Sequence, residues 1–103
     1  MGLLDKFKET LTIEEGLDQF KETPGAVLID VRSEEEYEEG HLKDSMNIPL
    51  NKLAAISLPK ETPLFVYCLS GARSRRASVF LRKTGYDVIN IGGIVDYSGE
   101  LVR

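Results

Sequence analysis

Hydrophobic residues fall into two patterns along this chain: short unbroken runs, and stretches where they recur every three or four positions. AVLIDV (26–31) and LFVYC (64–68) are of the first kind, and predict strands buried on both faces. Thr12 followed by Glu15 is a capping box, opening a helix to about Lys21 with Leu17 and Phe20 inward. Pro24-Gly25 ends that helix in a turn. Ser33 caps a short helix, SEEEYEEG, whose first turn carries Glu34, Glu35 and Glu36 and which Gly40 closes. Its glutamates read as a solvated face. Met46 to Ile48 predicts a short strand stopped by Pro49, and Asn51 a cap for a helix over 52–56. A helix from about Ser74 to Thr84 puts Ala77, Phe80, Leu81 and Thr84 on one face, and Gly85 ends it. DVINI (87–91) is the last strand, with Gly92-Gly93 behind it and a short helix near Ile94–Tyr97. Strands alternating with helices predict an α/β layer architecture with a mainly parallel sheet.

Length and composition narrow this further. A chain of 103 residues has room for one core, and 42% hydrophobic with 29% charged residues is globular composition, not disorder. Residues 1–9, with Leu3, Leu4 and Phe7 at helical spacing, form a short amphipathic N-terminal arm. Residues 10–103 form a single domain. The arm's polar face is mixed in sign, so no stable membrane association is expected. The N-terminus lacks a sustained apolar stretch and a small-residue cleavage site, so no signal peptide is expected either, and a reducing cytoplasm is the expected compartment. One cysteine excludes an internal disulfide, and one histidine beside it makes a zinc site improbable. The net charge of −4 argues against nucleic-acid binding. It hides an asymmetry: residues 1–62 hold seven basic and fourteen acidic side chains, residues 63–103 six basic and three acidic. The positive part contains the cysteine, so a local anion site is compatible with an acidic whole.

Cys68 ends a central strand and precedes a helix, the place where parallel sheets bind ligands. Leu69, Ser70, Gly71, Ala72 and Arg73 can curl so that backbone N–H groups converge on one point, with Ser74 at the helix start. Such a nest, with the helix dipole, stabilises an anion and lowers a thiol pKa. Arg73 adds a planar guanidinium fork suited to an oxyanion. A lone cysteine at a strand end is ordinarily a small packing residue. Here strand end, glycine loop, arginine and helix start coincide, and together they point to reactivity.

These pieces resemble a single-domain rhodanese, of the sulfurtransferase family, over nearly the whole chain from about Thr10. The matches are LIDVRSEEEYEEGHL (28–42), NIPL (47–50), VYCLSGARS (66–74), Ala77, LRKTGYDV (81–88) and NIGGI (90–94). The resemblance implies a three-layer fold, with helices on both faces of a central sheet of about five short strands. It also implies catalysis through a persulfide on Cys68, with Leu69, Ser70, Gly71, Ala72, Arg73 and Ser74 binding the substrate. The donor would be a small anion such as thiosulfate or a persulfide; the acceptor would be cyanide in vitro, or a thiol or protein in the cell. No metal or cofactor is implied, and a monomer or weak dimer is expected. An alternative is a non-turnover sulfur carrier loaded by a partner protein. A small phosphatase or arsenate reductase is disfavoured, because phosphotyrosine-type loops read C-x5-R. Here Arg73 makes C-x4-R, and Ser74 stands where that arginine would be.

Asp30 and Arg32 at a buried strand end are either active-site groups or a framework fixing neighbouring loops; within the resemblance the framework role is expected. The resemblance likewise assigns His41 to a structural turn rather than to a Cys–His pair. Arg75 and Arg76 read equally as guides for an anionic donor or partner and as exposed helix residues. The chain departs from the family at Asp44-Ser45, where Gly-Ala is frequent, in a shorter tail, and at Tyr97 in place of a frequent tryptophan.

Overall fold

The computed structural model describes residues 11–103; the arm expected over residues 1–9 lies outside them. In chain order the elements are α1 (Ile13–Glu22), β1 (Val27–Asp30), α2 (Glu34–Glu39), β2 (Ser45–Asn47), a 3-10 turn (Leu50–Ala55), β3 (Leu64–Cys68), α3 (Ala72–Lys83), β4 (Val88–Gly93) and a second 3-10 turn (Ile94–Asp96). Side chains set the first two helix starts. Thr12 Oγ1 accepts the Glu15 amide at 3.1 Å, and Glu15 Oε1 accepts the Thr12 amide at 2.9 Å. Ser33 and Glu36 make the same exchange at the head of α2, at 3.2 and 3.0 Å. Three boundaries differ from expectation by more than one residue. Helix α3 begins at Ala72 rather than Ser74, because Gly71 at φ 105° turns the chain directly into it. The helix expected over 52–56 is a 3-10 turn entered from Pro49, with Asn51 inside it and no side-chain cap. Strand β4 runs on through Gly92-Gly93.

The four strands are all parallel, in the order β2-β1-β3-β4. That is one fewer than the five expected: the four β-rich runs of the sequence supply every strand among the described residues. Pleating sends Leu64, Val66 and Cys68 to one face of β3 and Phe65 and Tyr67 to the other. Ala77 and Leu81 of α3, with Leu53 of the first 3-10 turn, cover the first face. Ile13 of α1 covers the second, with Phe20 edge-on to Phe65 at 5.7 Å. The sheet is thus buried on both faces, as the apolar runs require. No helix among the described residues is long and apolar enough to cross a membrane. Phe80, expected inward, is 37% exposed. The buried stripe of α3 is Ser74, Ala77, Ser78 and Leu81, and Phe80 lies beside it.

Two features aim the strand ends. Between Val66 and Tyr67 the β3–β4 register slips, so that Asn90 pairs with Val66 but Gly92 with Tyr67. This bulge brings Gly92-Gly93 beside Cys68. The edge of β4 is finished locally: Arg82 donates to the Val88 carbonyl at 3.1 Å, and the Gly92 amide donates to Asn90 Oδ1 at 2.9 Å. At the end of β1, fully buried Asp30 takes Arg32 Nη2 at 2.7 Å, Arg32 Nε at 3.0 Å and the Arg32 amide at 2.8 Å. Arg32 Nη2 also donates to the Gly40 carbonyl at 2.7 Å, and Asn47 Nδ2 donates to the carbonyls of Asp30 and Arg32, each at 3.0 Å.

Asp30→Ala leaves the Arg32 charge buried without its partner, and should cost about 3–5 kcal/mol of stability. Glu34→Ala removes only the exposed pair with Lys52 at 3.2 Å, and should cost under about 1 kcal/mol. Urea denaturation of both variants checks the contrast; equal losses would overturn it.

Candidate active site

Cys68 is the last residue of β3, 1% exposed, and packs in the same cluster as Val66 and Ala77. Burial alone would make it a packing residue, but its sulfur has polar company. The Gly71 amide donates to Cys68 Sγ at 3.0 Å, the Ser74 amide at 3.3 Å and the Ser74 hydroxyl at 3.4 Å. Three donors on one sulfur, at the start of a twelve-residue helix, make a site for negative charge. Burial pushes the thiol pKa up; the Ser74 hydroxyl and amide, then the Gly71 and Arg73 amides, outweigh it, and the pKa lies below the ordinary thiol value. The Ser74 hydroxyl also lies 3.1 Å from the Gly71 carbonyl and 3.5 Å from that of Gly92. Its single proton goes to one acceptor at a time, and a thiolate is the strongest of the three.

The loop curls because its backbone is allowed to. Gly71 has φ 105°, and Gly92, against which it packs, has φ 98°. A Cβ on Gly93 would fall on the Leu69 carbonyl oxygen and the Ser70 backbone, so the end of β4 must be this thin for the loop to lie on it. The Leu69 carbonyl also accepts the Val95 amide at 3.1 Å. The structure therefore brings Cys68, Gly71 and Ser74 together around the sulfur. Leu69, Ser70 and Ala72 form the exposed outer wall of the loop.

Arg73, expected in the substrate-binding loop, makes a two-point ion pair with Glu36 of α2, Nη1 to Oε1 at 2.7 Å and Nη2 to Oε2 at 3.0 Å. Planar guanidinium and carboxylate match in geometry, and both are half-buried, so the internal partner occupies the fork. The Arg73 guanidinium, with help from the Ser33 cap, holds the Glu36 pKa down to about 2. Glu36 is thus no solvated member of the glutamate run. The S-x-x-E spacing with Ser33 is the sequence signal that sets it apart from its neighbours.

Asp30 and Arg32 pair with each other, and the Arg32 guanidinium lies 5.9 Å from the Tyr67 ring centroid. The His41 ring stacks on Tyr37 at 3.6 Å, with Nδ1 2.7 Å from the Tyr37 carbonyl, while its backbone exchanges two hydrogen bonds with Val102 at 2.8 Å. Neither this histidine nor the buried pair is among the hydrogen-bond partners of Cys68 Sγ. Asp44, at φ 71°, adopts the left-handed turn in which the family often has glycine. Ser45 then donates to the Leu42 carbonyl at 2.7 Å and meets the Tyr67 hydroxyl at 3.0 Å. Arg75 and Arg76 are exposed. Beside the loop runs a groove of about 610 Å³, between the first 3-10 turn and α3, with Leu50, Arg73, Arg76 and Phe80 in its lining. Among the described residues no group of three His, Cys, Asp or Glu side chains is placed to hold a metal ion.

Comparison with known proteins gives the same grouping of residues a lineage. The model of the rhodanese-like domain matches residues 13–100. A sulfurtransferase of Allochromatium vinosum is 33% identical over 81 residues, covering 75% of this chain and 76% of the relative. The adenylyltransferase and sulfurtransferase uba4 of Ogataea parapolymorpha is 37% identical over 90 residues, which cover 82% of this chain but only 23% of that protein. The chain therefore spans about a quarter of that relative. The crystal structure of a rhodanese-like domain protein from Staphylococcus aureus superposes with a TM-score of 0.79 at 26% identity, covering 89% of this chain and 94% of that one. The fold, the cysteine loop and these matches agree: the chain belongs to the rhodanese-like domain family.

Proposed function

We propose that this chain is a sulfurtransferase that carries sulfane sulfur as a persulfide on Cys68. The observation that supports this reading is the set of three donors on Cys68 Sγ, which stabilise a thiolate before any substrate arrives. A thiol whose pKa is lowered reaches its thiolate form more readily, and in this reading the thiolate is the nucleophile. It attacks the outer sulfur of a donor; with thiosulfate, the S–S bond of the donor breaks and its electron pair leaves on sulfite. The outer sulfur stays on Cys68 as a persulfide anion. An acceptor nucleophile, cyanide or a thiolate, then attacks that outer sulfur, and the electron pair of the Cys68–sulfur bond returns to Sγ. Each step exchanges one S–S or C–S bond for another, with no net oxidation. The loop amides remain aimed at the charge throughout, an electrostatic arrangement of the kind that contributes about 3–4 kcal/mol per donor in enzyme oxyanion holes. Cys68 is the one cysteine of the sequence, so the acceptor thiol is external.

A second reading makes the domain a carrier loaded by a partner protein. It draws on uba4, where the matching region is 23% of a larger protein. Kinetics separate the two: rapid thiocyanate formation from thiosulfate and cyanide supports the enzyme, and loading only by a partner desulfurase supports the carrier.

Thiosulfate treatment of the folded protein should add one sulfur atom by intact mass spectrometry, and cyanide should remove it. Cys68→Ser should form no adduct and show no turnover while keeping the fold by circular dichroism. An adduct on that variant would remove Cys68 from the mechanism.

The pH dependence of alkylation tests the cradle. The Cys68 thiol should react with iodoacetamide with a midpoint below that of the unfolded chain, because the shift is downward in the folded state. Ser74→Ala should move the midpoint upward, since the hydroxyl is the largest of the lowering influences. An unmoved midpoint in a folded Ser74→Ala protein would sink the role given to that hydroxyl.

A further inference from the structure

The Arg73–Glu36 pair has a consequence for which donors the site accepts. Arg73 is the guanidinium built into the loop, and Glu36 takes both of its Nη groups. Glu36 is itself held in place: its Oε1 also accepts the Ser33 amide at 3.0 Å, in the box that starts α2. The carboxylate therefore cannot swing away from Arg73 without losing a helix cap as well. With one positive and one negative charge paired, the loop's own guanidinium adds no net charge to the mouth, and Arg76 is the cation left in the lining of the groove beside it. What remains around the sulfur is dipolar: two amides and a hydroxyl. Arg75 and Arg76, the next cations along α3, are exposed and act through a field that solvent screens.

Thiosulfate is a dianion, and it must approach a thiolate. A persulfide donor with an uncharged organic group brings at most one negative charge, on the sulfur that is transferred. A loop whose own guanidinium is already neutralised handicaps the first donor far more than the second. We propose that Glu36 is a specificity-determining positioning residue: by occupying the Arg73 fork, it turns the Cys68 loop away from dianionic donors and towards persulfides. The idea rests on the sulfurtransferase reading for the identity of its donors, but one of its measurements does not.

Glu36→Gln is the informative variant, because glutamine can still cap Ser33 as a member of the box while losing the charge that neutralises Arg73. Glu35→Gln is its control, with the same charge change on the same helix at an exposed residue. Persulfidation of Cys68 is followed at several concentrations of thiosulfate and of 2-hydroxyethyl persulfide. In Glu36→Gln the thiosulfate KM should fall about tenfold, the scale of relieving one like-charge contact and freeing one cation. The KM for 2-hydroxyethyl persulfide should stay within about twofold, and Glu35→Gln should change neither. Adding Arg73→Gln to Glu36→Gln should abolish the gain, since no guanidinium is then released.

Protection of Cys68 from iodoacetamide by sulfate reads anion binding without any sulfur transfer. Glu36→Gln should be protected at about tenfold lower sulfate than the parent protein. A thiosulfate KM or sulfate protection that is unchanged or weaker in folded Glu36→Gln overturns the proposal, as does an equal gain in Glu35→Gln. If the parent forms no persulfide with either donor, the sulfurtransferase reading fails and the sulfate measurement alone decides the role of Glu36.

Discussion

The buried pair of Asp30 and Arg32 is the interaction on which the arrangement of this end of the sheet depends. Two opposite charges at the end of a core strand would each be costly alone, and together they are worth keeping only if every remaining lone pair and proton is used. Here they are used structurally. Arg32 reaches the Gly40 carbonyl at the end of α2, and Asn47 of β2 donates to the backbone carbonyls of Asp30 and Arg32 themselves. Strand β1, helix α2 and strand β2 are thereby tied at one point. Because α2 is tied, Glu36 stands where Arg73 of the cysteine loop can meet it. The loop geometry is thus partly fixed by a salt bridge that never touches the sulfur.

Backbone dipoles, rather than formal charge, hold the sulfur in this site. An amide N–H supplies a fixed partial charge that cannot be titrated or lost to a competing side chain. Arginine supplies a full charge, but one that a carboxylate can cancel, as Glu36 does. The donors on the sulfur are therefore independent of the Arg73–Glu36 pair at the loop's outer side.

Much of this was legible in the chain, and the parts that were not share a cause. Thr12 and Glu15 announce α1 because both halves of the capping box are local, and the cysteine loop is legible because Cys68, Gly71 and Ser74 lie within seven consecutive positions. The Ser33 capping box marks Glu36 out from its run as a helix-start residue, but its ion pair is not legible there, because the partner Arg73 lies thirty-seven positions on. Phe80 fits an inward stripe on spacing alone, yet two buried serines, Ser74 and Ser78, take that face, and their hydroxyls bond Cys68 Sγ and the Ser74 carbonyl. The extension of β4 through Gly92-Gly93 depends on a bulge, which apolar patterning does not register. Local hydrogen bonding is written in short motifs, whereas partners chosen across the fold are not.

The finish on β4 bears on how the protein behaves in a crowded solution. An outermost strand normally presents a row of free carbonyls and amides, and a flat row of this kind invites another chain to add itself as the next strand. In this chain the Arg82 guanidinium sits on the Val88 carbonyl, and Asn90 takes the Gly92 amide. An incoming strand would have to displace both before it could begin a ladder. The bulge at Ile91 adds a twist that a straight partner cannot follow. This margin of the sheet is therefore covered by a helix residue, Arg82, and by the strand's own Asn90, on the strand that carries its glycine end to the sulfur.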